Sequence, residues 1–157
     1  MIDVMSIGEA LNRRSDLQKR IMQLQDRLRA SVLVQEGDEP PESPQQLLNE
    51  LDSECHELQR LIAQINHTNA ATQLPTGETL TEGLARRDVL ELRQSGLRAA
   101  IRTAMNDGLP RYSRSEIRMV RQISVGEIQA QIDELAKQQR ELDAELQAHN
   151  WTTPLIE

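Results

Sequence analysis

Cys55, His56, His67 and His149 are the side chains whose type most readily suggests chemistry. A metal site on a helix sets two imidazoles at i and i+4, or as His-x-His, so that both reach one ion. No pair of these histidines has that spacing. Cys55 and His56 are adjacent, so on a helix they point to different faces and form no thiolate–imidazole pair. There is no glycine-rich phosphate loop and no Ser/His/Asp order of a known nucleophile motif. The sequence thus predicts no catalytic residue, no metal ligand and no cofactor. Two polar groups remain. Asn66, Asn69, Arg87, Asp88, Tyr112 and Arg114 are candidates for a polar network or a ligand pocket. Arg87 and Asp88 are sequence neighbours inside a helical pattern, so each is expected to find its partner elsewhere, on Asn66, Thr68 or Asn69. The group reads either as a buried structural network or as a pocket lined by Asn69, Arg87, Asp88 and Tyr112. In the second group, Arg111, Arg114, Arg118 and Arg121 recur at spacings of three, four and three. On a helix they would make one basic stripe able to contact phosphates; in an extended segment they scatter.

Charge is uneven around these groups. From Glu36 to Arg60 there are eight acids and one base, and from Arg86 to Arg121 nine arginines and four acids. Either these are two solvated helix faces, or the acidic stretch faces the basic one within or between chains. The whole chain of 157 residues carries a formal charge of −7, which argues against general nucleic-acid binding.

The elements that must position these residues are helical. Four capping boxes, each a Ser or Thr with Glu or Gln three residues on, stand directly before apolar runs of helical period: Ser6…Glu9, Ser43…Gln46 (followed by Pro44), Thr79…Glu82 and Ser124…Glu127. They predict helices over about 6–32, 44–69, 79–106 and 124–149. The first carries Ile7, Ala10, Leu17, Ile21, Leu24, Leu28 and Val32 on one seam. The second carries Leu48, Leu51, Cys55, Leu58, Ile62 and Ile65, which places the thiol among packed aliphatics. The fourth alternates steps of three and four from Val125 through Gln139 to His149, the heptad rhythm of coiled coils. The third has Leu80, Leu84, Leu90, Leu97 and Ile101 on one side. Val89, Leu92 and Ala99 widen its stripe beyond what one antiparallel neighbour covers. Gly83 and Gly96 inside it point to close helix approach.

The connections are 33–43, an acidic tip with Gly37, Pro40 and Pro41; 70–78, with Pro75 and Gly77 in a turn that reads as a short β-hairpin or an irregular loop; and 107–123, where Ile117 and Met119 permit a short strand. If both of the latter segments are extended, they pair at one end of the bundle. A tail of 150–157 closes the chain. Arg14 and Gln139 interrupt their seams, and a polar seam residue fixes register or oligomer state. With Trp151, whose ring suits a groove or a neighbouring subunit, they are the candidate subunit contacts. The only aromatics are Trp151 and Tyr112, too few for a base-stacking surface or an aromatic cage. One cysteine excludes an internal disulfide and fits a reducing compartment. No secretory signal and no apolar run near the ~18 residues of a membrane span are visible. The expected location is cytoplasmic, with no membrane partner.

The segments VQEG (34–37), INHTN (65–69), RRDVL (86–90), RYSRSEI (111–117) and ELDAELQAHNWTTPLIE (141–157) fall in order, and on them the chain resembles a family of uncharacterised bacterial helical proteins often labelled septicolysin. The resemblance implies a helix-hairpin protein that assembles into homo-oligomers, and it brings no reaction, cofactor or catalytic residue. The label itself implies a pore-forming cytolysin. The sequence disfavours that reading, because it has no export signal and no Trp-rich membrane loop.

The expected fold is mainly α: four long helices in two antiparallel coiled-coil-like hairpins, a helical bundle in one domain over 1–157. The expected function is a non-enzymatic homo-oligomeric scaffold or interaction protein with no known small-molecule ligand. The alternatives are an anionic-ligand or nucleic-acid binder through Arg111–Arg121, and the cytolysin.

Overall fold

The computed structural model describes residues 4–105 and 120–156. It holds four helices, α1 (Ile7–Ser31), α2 (Pro44–Ala71), α3 (Leu80–Met105) and α4 (Val125–Thr152). Each starts where its cap stands. The Ser6, Ser43, Thr79 and Ser124 hydroxyls accept from the backbone N–H three residues on, at 3.2, 3.4, 3.2 and 3.4 Å. At Ser6 and Thr79 the box is reciprocal, since Glu9 and Glu82 accept from the cap's own N–H at 2.7 Å. Those bonds hold the Glu9 and Glu82 carboxyls below the usual carboxylate range. The Arg27 guanidinium does the same to Glu42.

A carboxyl whose folded pKa is depressed stabilises the fold above its unfolded pKa, about 4.3 for Glu, and that contribution is lost as pH falls through the folded value. Thermal melts followed by circular dichroism should therefore give a Tm that is flat from neutral pH down to about 5 and falls below about 4.3. Glu9→Gln with Glu82→Gln, which keep an acceptor but no charge, should flatten that acid limb.

The described residues group into two compact units. The first is Met1–Gln73 with Ala148–Glu157, the second Leu74–Gln147, so α4 belongs to the second unit up to Gln147 and to the first from Ala148. Each unit has its own seam. A heptad seam is narrow, and a single antiparallel neighbour covers it.

In the first unit α1 and α2 form an antiparallel hairpin. Ala10, Leu17, Leu61 and Ile65 make its core, with Leu11, Leu58 and Leu155 packed against it. The α1 seam runs 7, 10, 14, 17, 21, 24, 28, 31, ending on buried Ser31 where Val32 was expected; Val32 is exposed. The α2 seam keeps Leu51, Leu58 and Ile65 of the sequence expectation and lies one residue earlier at its other three positions. Leu47, Glu54, Leu61, Ile65 and Thr68 are buried and Leu51 and Leu58 half-buried, whereas Leu48 and Cys55 are exposed. Both lines keep an unbroken rhythm of three and four; the expectation followed the apolar residues, and the observed line accepts Glu54 in the seam, where Arg20 of α1 meets it. Outside this seam three arginines of α1, spaced by seven, meet acids of α2 in reverse order. Arg13 pairs with Glu57 at 2.6 Å, Arg20 with Glu54 at 2.6 Å, and Arg27 with Glu50 at 4.0 Å and with Glu42. Four acids of the acidic stretch are thus partnered by α1, not by the basic run from Arg86.

In the second unit Leu74, Leu80, Leu90, Ile101, Ile132, Leu135, Leu142 and Leu146 are buried. The α3 seam is 80, 83, 87, 90, 94, 97, 101, 104; the α4 seam is the expected one. Gly83 makes the room: a Cβ there would lie 2.7 Å from Leu74 Cδ1 and 3.3 Å from Leu146 Cδ2. The turn before α3 is tight, and Gln73 and Thr79 on either side of it are single bridge residues without a strand. Leu74 N–H donates to Glu78 at 2.8 Å, and Gly77 N–H, at φ +88, to Leu74 at 2.9 Å. There is no β-strand among the described residues; an isolated bridge joins Ser6 to Pro154. The strand expected near Ile117 and Met119 lies outside them.

Candidate functional site

The first candidate is the end of the first unit, where two family-like segments meet. Ile7 N–H donates to Thr153 carbonyl at 3.0 Å and Leu155 N–H to Met5 carbonyl at 2.8 Å, so the tail lies antiparallel to the residues entering α1. Ile156 N–H then reaches the Thr68 hydroxyl at 2.9 Å, and Thr68 donates to Gln64 carbonyl at 2.7 Å. Thr68 is fully buried, which brings the INHTN and NWTTPL segments together as a clasp. Trp151 is 62 % exposed, yet its ring covers Gly8 of its own chain: a Cβ on Gly8 would stand 2.9 Å from Trp151 Cε3 and 3.1 Å from Asn150 carbonyl oxygen. An aromatic ring and a backbone carbonyl cannot yield as a flexible side chain can. Gly8→Ala should cost about 1–2 kcal/mol despite alanine's better helix propensity. Urea unfolding measures it, and Gly8→Ala with Trp151→Ala should recover part of the loss.

The second candidate is a polar layer in the second unit. Gln94, 2 % exposed, donates from Nε2 to Gln139 Oε1 at 2.6 Å and accepts on Oε1 from Arg98 Nη2 at 3.0 Å. Gln139, read from the sequence as a candidate subunit contact, is thus satisfied within its hairpin. The sequence reading missed Gln94 because it followed the apolar residues of this seam, Leu90 and Leu97, and passed over the polar position between them. Its signal was its place in the three-and-four rhythm opposite Gln139.

The proposed network around Arg87 takes another form. Arg87 donates to Asp88 Oδ1 from Nη2 at 2.9 Å and from Nε at 3.1 Å, so the neighbours bond each other at the surface, contrary to the expectation that each needs a distant partner. The long guanidinium folds back over its own helix turn, which the spacing rule for short side chains does not forbid. Asn66 is exposed and Asn69 half-buried on α2, and both belong to the first unit; Arg87 and Asp88 belong to the second. Tyr112 and Arg114 lie outside the described residues. So do Arg111 and Arg118. Arg121 donates to the Ala104 carbonyl at 2.6 Å, in the last turn of α3, where a cation complements the helix dipole. Arg14 is half-buried in the α1 seam.

Neither Cys55 nor the three histidines converge. Cys55 is a free, exposed thiol. His56 Nδ1 bonds to the Asp52 carbonyl at 2.8 Å within its own helix. Among the described residues no group of three or more His, Cys, Asp or Glu is arranged to hold a metal ion. An open groove of about 420 Å³ between α3 and α4 is lined by Arg93, Ala130, Gln131, Glu134, Leu135 and Gln138. Among the described residues no helix is long and apolar enough to cross a membrane.

A crystal structure of a functionally unknown conserved protein from Corynebacterium diphtheriae is similar over 98% of this chain and 100% of that one, with 35% sequence identity and a TM-score of 0.86. No curated protein matches the chain. The shared four-helix fold and a family match over residues 14–155 place the chain in the family of unknown function DUF6847.

Proposed function

We propose that the protein is a non-enzymatic, homo-oligomeric helical scaffold or interaction protein acting in the cytoplasm. The observation that carries this reading is on α3. Its inner seam meets α4 at Gly83 and Gln94, yet Val89 and Leu92 are 62 % and 73 % exposed on another face of the same helix. Scattered apolar side chains are ordinary on a surface; an aligned set on one helix marks a contact surface. The polar groups inside the hairpins support the same reading. Gln94, Gln139, Thr68 and one oxygen of Glu54 are engaged in bonds that hold helices or tail in place. Multi-angle light scattering tests it: a mass that is a multiple of the 17.8 kDa chain supports the proposal, and a monomer at micromolar concentration contradicts it.

A further inference from the structure

The exposed residues of α3 have a rhythm of their own. Ala85, Val89, Leu92, Gly96, Ala99 and Thr103 are spaced by four, three, four, three and four, and all are exposed. At about 100° per residue this second heptad stripe lies nearly opposite the seam that packs on α4. Gly96 sits in its middle. A glycine inside a helix costs about 1 kcal/mol against alanine. At Gly83 the cost has a use, because Leu74 and Leu146 fill the space. At Gly96 nothing lies within 4 Å of the missing Cβ, so the approach expected there from the sequence is not made inside the chain.

Resting on the oligomeric reading above, we infer that this face docks on the same face of a second copy, with the two α3 helices antiparallel about a two-fold axis. Shape selects the orientation. The two large residues, Val89 and Leu92, stand just before the middle of the stripe, and the small Gly96 and Ala99 just after it. Parallel pairing sets Leu92 against Leu92 and leaves Gly96 facing Gly96. Antiparallel pairing sets Leu92 into the gap at the partner's Gly96 and Val89 against the partner's Ala99, so the central layers each join a larger residue to a smaller one. A patch that fits itself in this way is what a two-fold interface requires.

Charge agrees. On one flank of the stripe Asp88 falls opposite the partner's Arg102, and the two-fold makes this contact twice. Arg87 uses only Oδ1 of Asp88, and Arg102 is exposed. On the other flank Arg93 faces its own copy once, but there it shares its groove with Glu134. Two opposite-charge pairs against one like-charge pair leave the antiparallel arrangement favoured.

Sedimentation velocity on the full chain and surface variants tests this, with circular dichroism confirming helicity. The wild type should dimerise. Leu92→Glu and Gly96→Leu, both exposed and helix-compatible, should each weaken the dimer by about tenfold or more. Asp88→Arg or Arg102→Asp alone should weaken it, and the two together in one chain should restore it. Arg93→Gln should tighten it. An oligomer indifferent to Leu92→Glu and Gly96→Leu overturns this face while leaving the scaffold reading standing. A dimer broken by Leu92→Glu but not rescued by the double charge swap overturns the antiparallel orientation. A wild type that stays monomeric at the highest concentration reached overturns both readings.

Discussion

Gln139→Ala should lower the unfolding free energy by about 2–3 kcal/mol, a fall in Tm of about 5–10 °C. The side chain lost is half-buried, and its size is the lesser reason. The greater one is Gln94, left with its Nε2 buried and unbonded beside Leu90 and Leu97. The Arg98 bond satisfies only Oε1. Replacing both glutamines by leucine should behave differently, staying within about 1 kcal/mol of the wild type or exceeding it, because no buried polar group is then left alone. A double-mutant cycle by urea unfolding at one protein concentration reads the difference as a coupling energy of about 1–3 kcal/mol. Strict additivity would show that the 2.6 Å bond between the two amides does not form in solution.

Arg20 and Glu54 should respond with opposite signs to substitution. Glu54 is 8 % exposed in the α2 seam, and its Oε2 has no hydrogen-bond partner among the described residues. Arg20→Ala removes the cation at 2.6 Å and leaves a carboxylate in an aliphatic layer. Loss of a fully buried partner costs about 3–5 kcal/mol; with Arg20 half in solvent, about 2 kcal/mol is expected. Glu54→Leu fills the same seam position with a leucine that continues Leu47, Leu51, Leu58 and Leu61, and frees Arg20 to lie in water. It should stabilise the hairpin by about 1–2 kcal/mol. A wild type with a seam made suboptimal by one acid has a use for it. The Arg13, Arg20 and Arg27 ladder meets Glu57, Glu54 and Glu50 all together in only one alignment, since a one-heptad slip leaves one arginine and one acid without a partner. Glu54→Leu should therefore raise Tm while making the hairpin less selective in register. Destabilisation by Glu54→Leu would show that the pair contributes more than packing does.

The helix count and the starts of all four helices were legible because caps are local: a hydroxyl and an acceptor three residues on suffice. The α4 seam was legible for a similar reason, since its apolar residues coincide with its geometric rhythm from Ile128 to Leu146. The α2 seam was not, because leucines occupy both sides of its true line. Leu48, Cys55 and Ile62 make as good an apolar series as Leu47, Glu54 and Leu61. What decides between them is the partner helix, where Arg20 stands ready for Glu54. The same holds for Gln94, whose burial depends on Gln139, 45 positions away. Trp151 was placed at a groove or a neighbouring subunit from its type alone. That the groove floor is Gly8 depends on the tail bonding back to Met5 and Ile7. Arg87 and Asp88 are the converse case: helix spacing points to long-range partners, and the long guanidinium reaches its own neighbour.

The distance between two copies of one residue tests the two-fold pairing of α3 most directly. In a Cys55→Ser background, a single nitroxide is placed at Ser95 or at Thr81, both exposed on α3. Antiparallel helices packed about 8–10 Å apart should bring the two Ser95 labels within about 20 Å of each other. Thr81 lies fourteen residues toward the N-terminus, so its two labels should be about 42 Å apart at 1.5 Å of rise per residue. A short distance at Ser95 with a long one at Thr81 is the predicted result. Short distances at both positions, or no dipolar coupling at Ser95 in a sample that scatters as an oligomer, would contradict it.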